Sequence, residues 1–333
     1  MECAVDPVAV FRVTITVALL IAAVPAAAHV VLRGGAIEPS LASGAPWITA
    51  ALVVTGVAYG AGVRRLWSAT ATGRGIRRPD AAAFAGGWLA LAVALLGPLD
   101  AWAERSFAAH MLQHEILMLV AAPLLVIGRP LAAWTWALPR RAHAALRRAL
   151  ASTALARFWR AFTRPLGATV VQLGVLFVLH VPGLFDYAAT HPGAHAAQHA
   201  IFLASALCFW WATRGALVHP RFGHESGAGA ALACLFVTML ATGALGALHA
   251  FASAPWYSIY AASATPWSAS ALDDQQLGGL VMWIPGGCVY LVAGLARALE
   301  LLRRDGLSPV AVRDVAPADH RTPQRVVTWK ALH

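Results

Sequence analysis

The chain has 333 residues, of which 59% are hydrophobic and only 12% charged, with a formal net charge of +10. A soluble domain carries about a quarter charged residues, so this composition excludes an ordinary water-soluble fold. It points to an all-α polytopic membrane bundle. The positive charge does not indicate nucleic acid, because arginines crowd alternate short loops between apolar blocks and are nearly missing from the others.

Residues 8–28 are an apolar run ending in Pro25-Ala26-Ala27-Ala28. Residues 1–28 read as a secretory signal cleaved after Ala28, or as an extra retained helix, since Glu2 and Asp6 sit where a signal carries positive charge. The bundle is expected over 47–300, with about seven spans at 47–67, 81–99, 107–127, 166–185, 195–213, 228–250 and 276–299. Each approaches the ~20 residues that cross a bilayer as a helix. The connection 128–165 interleaves arginines with Leu146, Leu150, Trp159 and Phe162. It reads as amphipathic helix on the anionic inner leaflet, or equally as a solvated basic loop. The segment 305–333 reads as a disordered tail.

Charge sets the orientation. The loops assigned outside hold only Arg33 and Arg105 as basic residues, whereas every loop assigned inside holds two or more. The C-terminus is then cytoplasmic, and Trp47, Trp102, Trp256 and Trp267 fall at the outer boundary, where indole favours the interface. Pro123, Pro182 and Pro285 are expected to kink their helices. The cysteines Cys3, Cys208, Cys234 and Cys288 form no CxxC and imply neither a disulfide framework nor a zinc knuckle.

Thirteen histidines are many for such a chain, and their placement carries the chemistry. His110-Met111-Leu112-Gln113-His114 and His195-Ala196-Ala197-Gln198-His199 both read HxxQH. Residues i and i+4 share a helix face, so each pair can offer two imidazoles to one ion. His180 and His249 approach the same outer depth from the opposite direction, and His191 lies in the loop between. Ionisable groups inside spans are costly and mark function, and imidazole is the commonest transition-metal ligand. Histidine suits zinc, copper or iron alike; Met111 as a soft ligand tilts the choice toward Cu(I). Glu115, Gln113, Gln198, Asp100 and Asp186 are candidates to orient imidazoles or attract cations. For Asp273 and Asp274 helix capping is the simpler role.

Several motifs together resemble the CtaG-type cytochrome c oxidase assembly factors, the family found with caa-type haem–copper oxidases. They are His110–His114 running into Leu117–Pro130, His191-x-x-x-His195-x-x-Gln-His199 with Phe202, Thr242–Ala247, and Asp274–Gly286. The resemblance covers about 45–300. It implies a non-enzymatic assembly factor in the bacterial plasma membrane, working with oxidase subunits and copper chaperones to deliver copper. It also implies His110, His114, His195 and His199 as metal ligands, followed by His180, His191 and His249. Residue chemistry alone leaves three alternatives: a membrane di-metal oxygenase or desaturase, a metal or proton transporter, and a haem-binding protein.

Overall fold

The computed structural model describes residues 46–139, 162–218, 226–261, 265 and 267–305. The signal-like segment, His29, most of the arginine-rich connection and the tail lie outside these residues. Every regular element among the described residues is helical. In chain order they are α1 (Pro46–Ala69), α2 (Arg78–Leu96), α3 (Pro98–Ala103), α4 (Phe107–Glu115), a π-helical segment (Ile116–Ala121) and α5 (Ala122–Gly128). There follow α6 (Pro130–Ala137), α7 (Pro165–Leu179), α8 (Pro182–Thr190), α9 (Pro192–Val218), α10 (Ser226–Ala250), a 3-10 turn (Ser258–Tyr260) and α11 (Ala271–Asp305).

Length and apolarity mark five spans, or six if the bent pair α7–α8 counts as one. The sequence suggested about seven. α9, with 27 residues and the second histidine pair, is the remaining long helix and is not among those marked. Polarity is distributed inside out relative to a soluble protein. Val54, Val57, Leu166 and Phe251 are 66–77% exposed on the perimeter, while Gln113, Gln172, Thr238 and six histidine rings face inward. An apolar exterior around a polar interior is the arrangement a bilayer stabilises.

The column from Phe107 to Gly128 is the axis of the bundle, with 67% of its spanning window buried against 22–39% for the other four spans. It begins at Ser106, whose Oγ accepts the Ala109 N–H at 3.1 Å. Asp274 of α11 adds a second cap, accepting the Phe107 N–H at 2.6 Å and the Ser106 hydroxyl at 2.8 Å. Asp273 instead bonds to Ser270 at the start of its own helix. The capping expectation therefore divides between two helices. Midway along the axis the backbone widens to a π-helix, and the Met118 carbonyl accepts the Trp210 indole N–H at 2.9 Å. A bulge of this kind leaves a carbonyl that another group must satisfy.

Three breaks shape the site. At Arg129 the chain turns through φ +52°, in the left-handed region, because Pro130 cannot continue the preceding helix. α6 then folds back along α1, so that a Cβ on Gly62 would lie 1.8 Å from the Ala133 carbonyl. Residues 130–137 thus pack one face, with Leu131, Ala133 and Thr135 buried, against the bundle. The remainder of the arginine-rich connection, 140–161, lies outside the described residues. The second break separates α7 from α8 by 77° at His180-Val181-Pro182. The continuous span expected at 166–185 is therefore broken there. The third, at His191-Pro192, starts α9. Pro285 is accommodated inside the long α11. α10 and α11 meet through Gly246 and Gly279; a Cβ on Gly279 would lie 2.4 Å from the Ala250 nitrogen. Such close backbone approach is how helices associate where solvent gives no hydrophobic drive.

Candidate metal centre

The axis helix, α9 and the break after α7 deliver histidines to one interior point. The two HxxQH motifs form i,i+4 pairs: ring centres are 4.4 Å apart for His110 and His114, and 4.3 Å for His195 and His199. The pairs face each other. His110 lies 5.1 Å from His195 and 5.8 Å from His199, and His114 lies 5.2 Å from His199. One ligand nitrogen from each of His110, His195 and His199 falls within 4.8 Å of the other two. His180 sits at the C-terminus of α7, 6.1 Å from His114 and 6.1 Å from His249.

Hydrogen bonds fix which nitrogen carries the proton. Tyr260 donates its only hydroxyl proton to the Ala103 carbonyl at 2.8 Å, so the 2.9 Å contact to His110 must be donated by Nδ1–H of the imidazole. Burial raises the Tyr260 phenol far above its ordinary value, which keeps that proton in place. His110 Nε2 is then a lone pair. His180 is set likewise, its Nδ1–H donating to the Leu176 carbonyl at 2.6 Å. Nε2 of His180, His195 and His199 and Nδ1 of His114 are buried without a hydrogen-bond partner. Buried polar atoms are nearly always satisfied. A cluster of orphaned nitrogens on neutral imidazoles is the chemistry of a transition-metal donor set.

Phe107, Phe185 and Phe202 line the rings with apolar surface; Phe202 lies 4.5 Å from His114 and Phe185 lies 5.0 Å from His110. The chain after α10 closes the site. The Tyr257 hydroxyl lies 2.8 Å from His249 Nε2 and 3.0 Å from the His180 carbonyl, a group left without a helical donor because the Leu184 N–H turns to the Val181 carbonyl. Sequence reasoning treated 251–275 as an outer loop and missed both tyrosines. The available signal was two tyrosines three residues apart shortly after His249, which one 3-10 turn places on the same side.

Other candidate residues go elsewhere. His191 is exposed, stacks on Tyr187 at 4.1 Å and bonds to the Tyr187 carbonyl, so it stands apart from the cluster. His249 is inside, but both of its nitrogens are hydrogen-bonded, to Leu245 O and to Tyr257. Gln113 donates to the Ala94 carbonyl and to Asp100, tying α4 to α2 and α3 rather than orienting an imidazole. Burial raises the Asp100 carboxyl, on α3 outside the spanning helices, to about 6; the Gln113 bond opposes that rise and nearby Glu104 adds to it. Gln198 reaches the Leu179 carbonyl at 3.4 Å, and Asp186 accepts from both the backbone and hydroxyl of Ser258. Glu115 turns toward α10 and α11, beside Gly286, Thr242 and Tyr290. Met111 is fully buried in the apolar core.

Comparison with known proteins places this architecture. Residues 57–304 match the family described as cytochrome c oxidase caa3 assembly factor (Caa3_CtaG). An uncharacterized protein of Mycobacterium bovis and one of Mycobacterium tuberculosis are each 27% identical over 279 residues, covering 82% of this chain and 40% of theirs. A third, from Mycobacterium leprae, is 26% identical over 286 residues, 82% of this chain and 41% of its own. The chain therefore spans about 40% of the length of the curated relatives it matches. No solved structure matches.

Proposed function

The chain belongs to the cytochrome c oxidase caa3 assembly factor family, and on that footing we propose that it holds copper as cargo in the histidine cluster and passes it to the oxidase. The observation that carries this reading is the convergence of ligand nitrogens from His110, His195 and His199 within 4.8 Å in a buried pocket. The loop charges support an outward-facing site in the bacterial plasma membrane with the C-terminus inside. Oxidase subunits and copper chaperones are the partners this role calls for.

The chain's own groups account for binding and release. Tyr260 holds His110 in the tautomer that presents Nε2, and the Leu176 carbonyl does the same for His180. The phenylalanine walls surround the lone pairs with apolar surface. Copper favours such neutral nitrogen donors, and a partner's ligands would take it by stepwise exchange. Imidazolium cannot ligate, so uptake should weaken as pH falls.

The test is metal analysis of the full chain purified in detergent, alongside His110→Ala/His114→Ala. Wild type should carry copper and the double variant should lose most of it, with oxidase activity of the same cells falling in parallel. Unchanged copper content in a folded double variant would overturn the assignment. Lost oxidase activity with no copper in either protein would point to an assembly role that does not involve copper.

A further inference from the structure

Five histidines bring more donor atoms to the pocket than one ion needs, and their lone-pair nitrogens divide into two sets. The first is Nε2 of His195 and His199, buried without partners, together with Nε2 of His110, whose lone pair faces His114, and one nitrogen from each of these three rings lies within 4.8 Å of the other two. The second follows from the His110–His114 contact. His110 carries its proton on Nδ1, so the 3.0 Å approach of the two Nε2 atoms requires the proton to sit on His114 Nε2. His114 Nδ1 is then a lone pair, and it is buried without a partner. Nε2 of His180 is the other such atom, likewise buried.

The ring spacings bracket the expected value in the first set and match it in the second. A metal–imidazole bond of about 2 Å, plus roughly 1.1 Å from nitrogen to ring centre, separates ring centres by about 5–5.5 Å around one three-coordinate ion. The same lengths give about 6.2 Å across a linear two-coordinate ion. Ring centres in the first set are 4.3, 5.1 and 5.8 Å apart. Those of His114 and His180 are 6.1 Å apart. His249 is equally far from His180, with its Nδ1 at the Leu245 carbonyl and its Nε2 at the Tyr257 hydroxyl.

We propose that the cluster holds two monovalent copper ions: one on His110, His195 and His199, and a second between His114 Nδ1 and His180 Nε2. This rests on the copper reading above and adds its stoichiometry and the division of ligands. The second position is reached from α7, whose break at Pro182 brings the His180 ring to the axis helix.

The experiment titrates Cu(I) anaerobically into the detergent-purified full chain against a chromophoric chelator. Wild type should saturate at two ions per chain, and His180→Ala at one. His195→Ala/His199→Ala should also bind one, and X-ray absorption should give that ion the edge of linear two-coordinate Cu(I). His180→Asn keeps a donor for the Leu176 carbonyl and should behave like His180→Ala, which separates ligand loss from misfolding. A wild type that saturates at one ion, retained in both His180 variants, overturns the two-ion proposal and leaves the copper reading standing. A folded wild type that binds no copper overturns both.

Discussion

His110 is held at both ends, and its neighbours inherit their protonation from it. Its Nδ1–H is committed to Tyr260, and its Nε2 is thereby committed as an acceptor. Tyr260→Phe removes the acceptor for that proton and lets the ring flip or exchange tautomers. Outer hydrogen bonds of this kind are worth about 10–100-fold in metal affinity, and Cu(I) affinity measured by chelator competition should fall by that much. The Ala103 carbonyl also loses its donor, so stability should drop by about 1–2 kcal/mol. An unchanged affinity would show that the phenol is only packing. At this scale the sequence was informative about residue type and weak about direction. The HxxQH spacing put two imidazoles on one face because a helix turns every 3.6 residues. Nothing local distinguished His191, which turns onto Tyr187, from His195 one turn later, which turns inward. Likewise, nothing local set Gln113 against Asp100 rather than against a histidine.

The elements owe their positions to a few long-range polar contacts in an apolar setting. Asp274 is fully buried and accepts from Phe107 N, Ser106 Oγ and the Trp267 indole, joining α11 to the first turn of α4. A carboxylate at a helix N-terminus also meets the positive end of the macrodipole. Asp274→Ala should destabilise the detergent-solubilised chain by about 2–3 kcal/mol, read as a drop in thermal unfolding temperature. Asp273→Ala, which touches only exposed Ser270 in its own first turn, should cost about 1 kcal/mol or less. Equal losses would mean that Asp274 does not act as the inter-helix cap. The span positions were readable because apolar length is a local property. The π-segment, the fold-back of α6 and the 77° break after α7 were not, since each depends on a distant partner for the freed backbone. Those partners are Trp210 for Met118, Tyr59 for Gly128 at the turn before α6, and Tyr257 for His180. Pro182 signalled a disturbance in the sequence, but its angle comes from the packing of α8.

For the whole molecule, charge asymmetry fixes an expectation that single-residue labelling can check. With the native cysteines replaced, His191→Cys should react with a membrane-impermeant thiol reagent added to intact cells. Arg74→Cys, exposed at the other end, should react only after permeabilisation. The reverse result would place the histidine end inside and remove the argument for delivery at the outer face. Composition, apolar block length and arginine placement by themselves determined that the chain is a helical membrane protein, and the motifs carried its family, because hydropathy and spacing are written along the chain. Only the tertiary structure decided which histidines meet, which nitrogens remain free, and that two loop tyrosines complete the site. Those facts depend on contacts between residues up to 150 or more positions apart, where side-chain packing and a finite supply of hydrogen-bond partners select the arrangement.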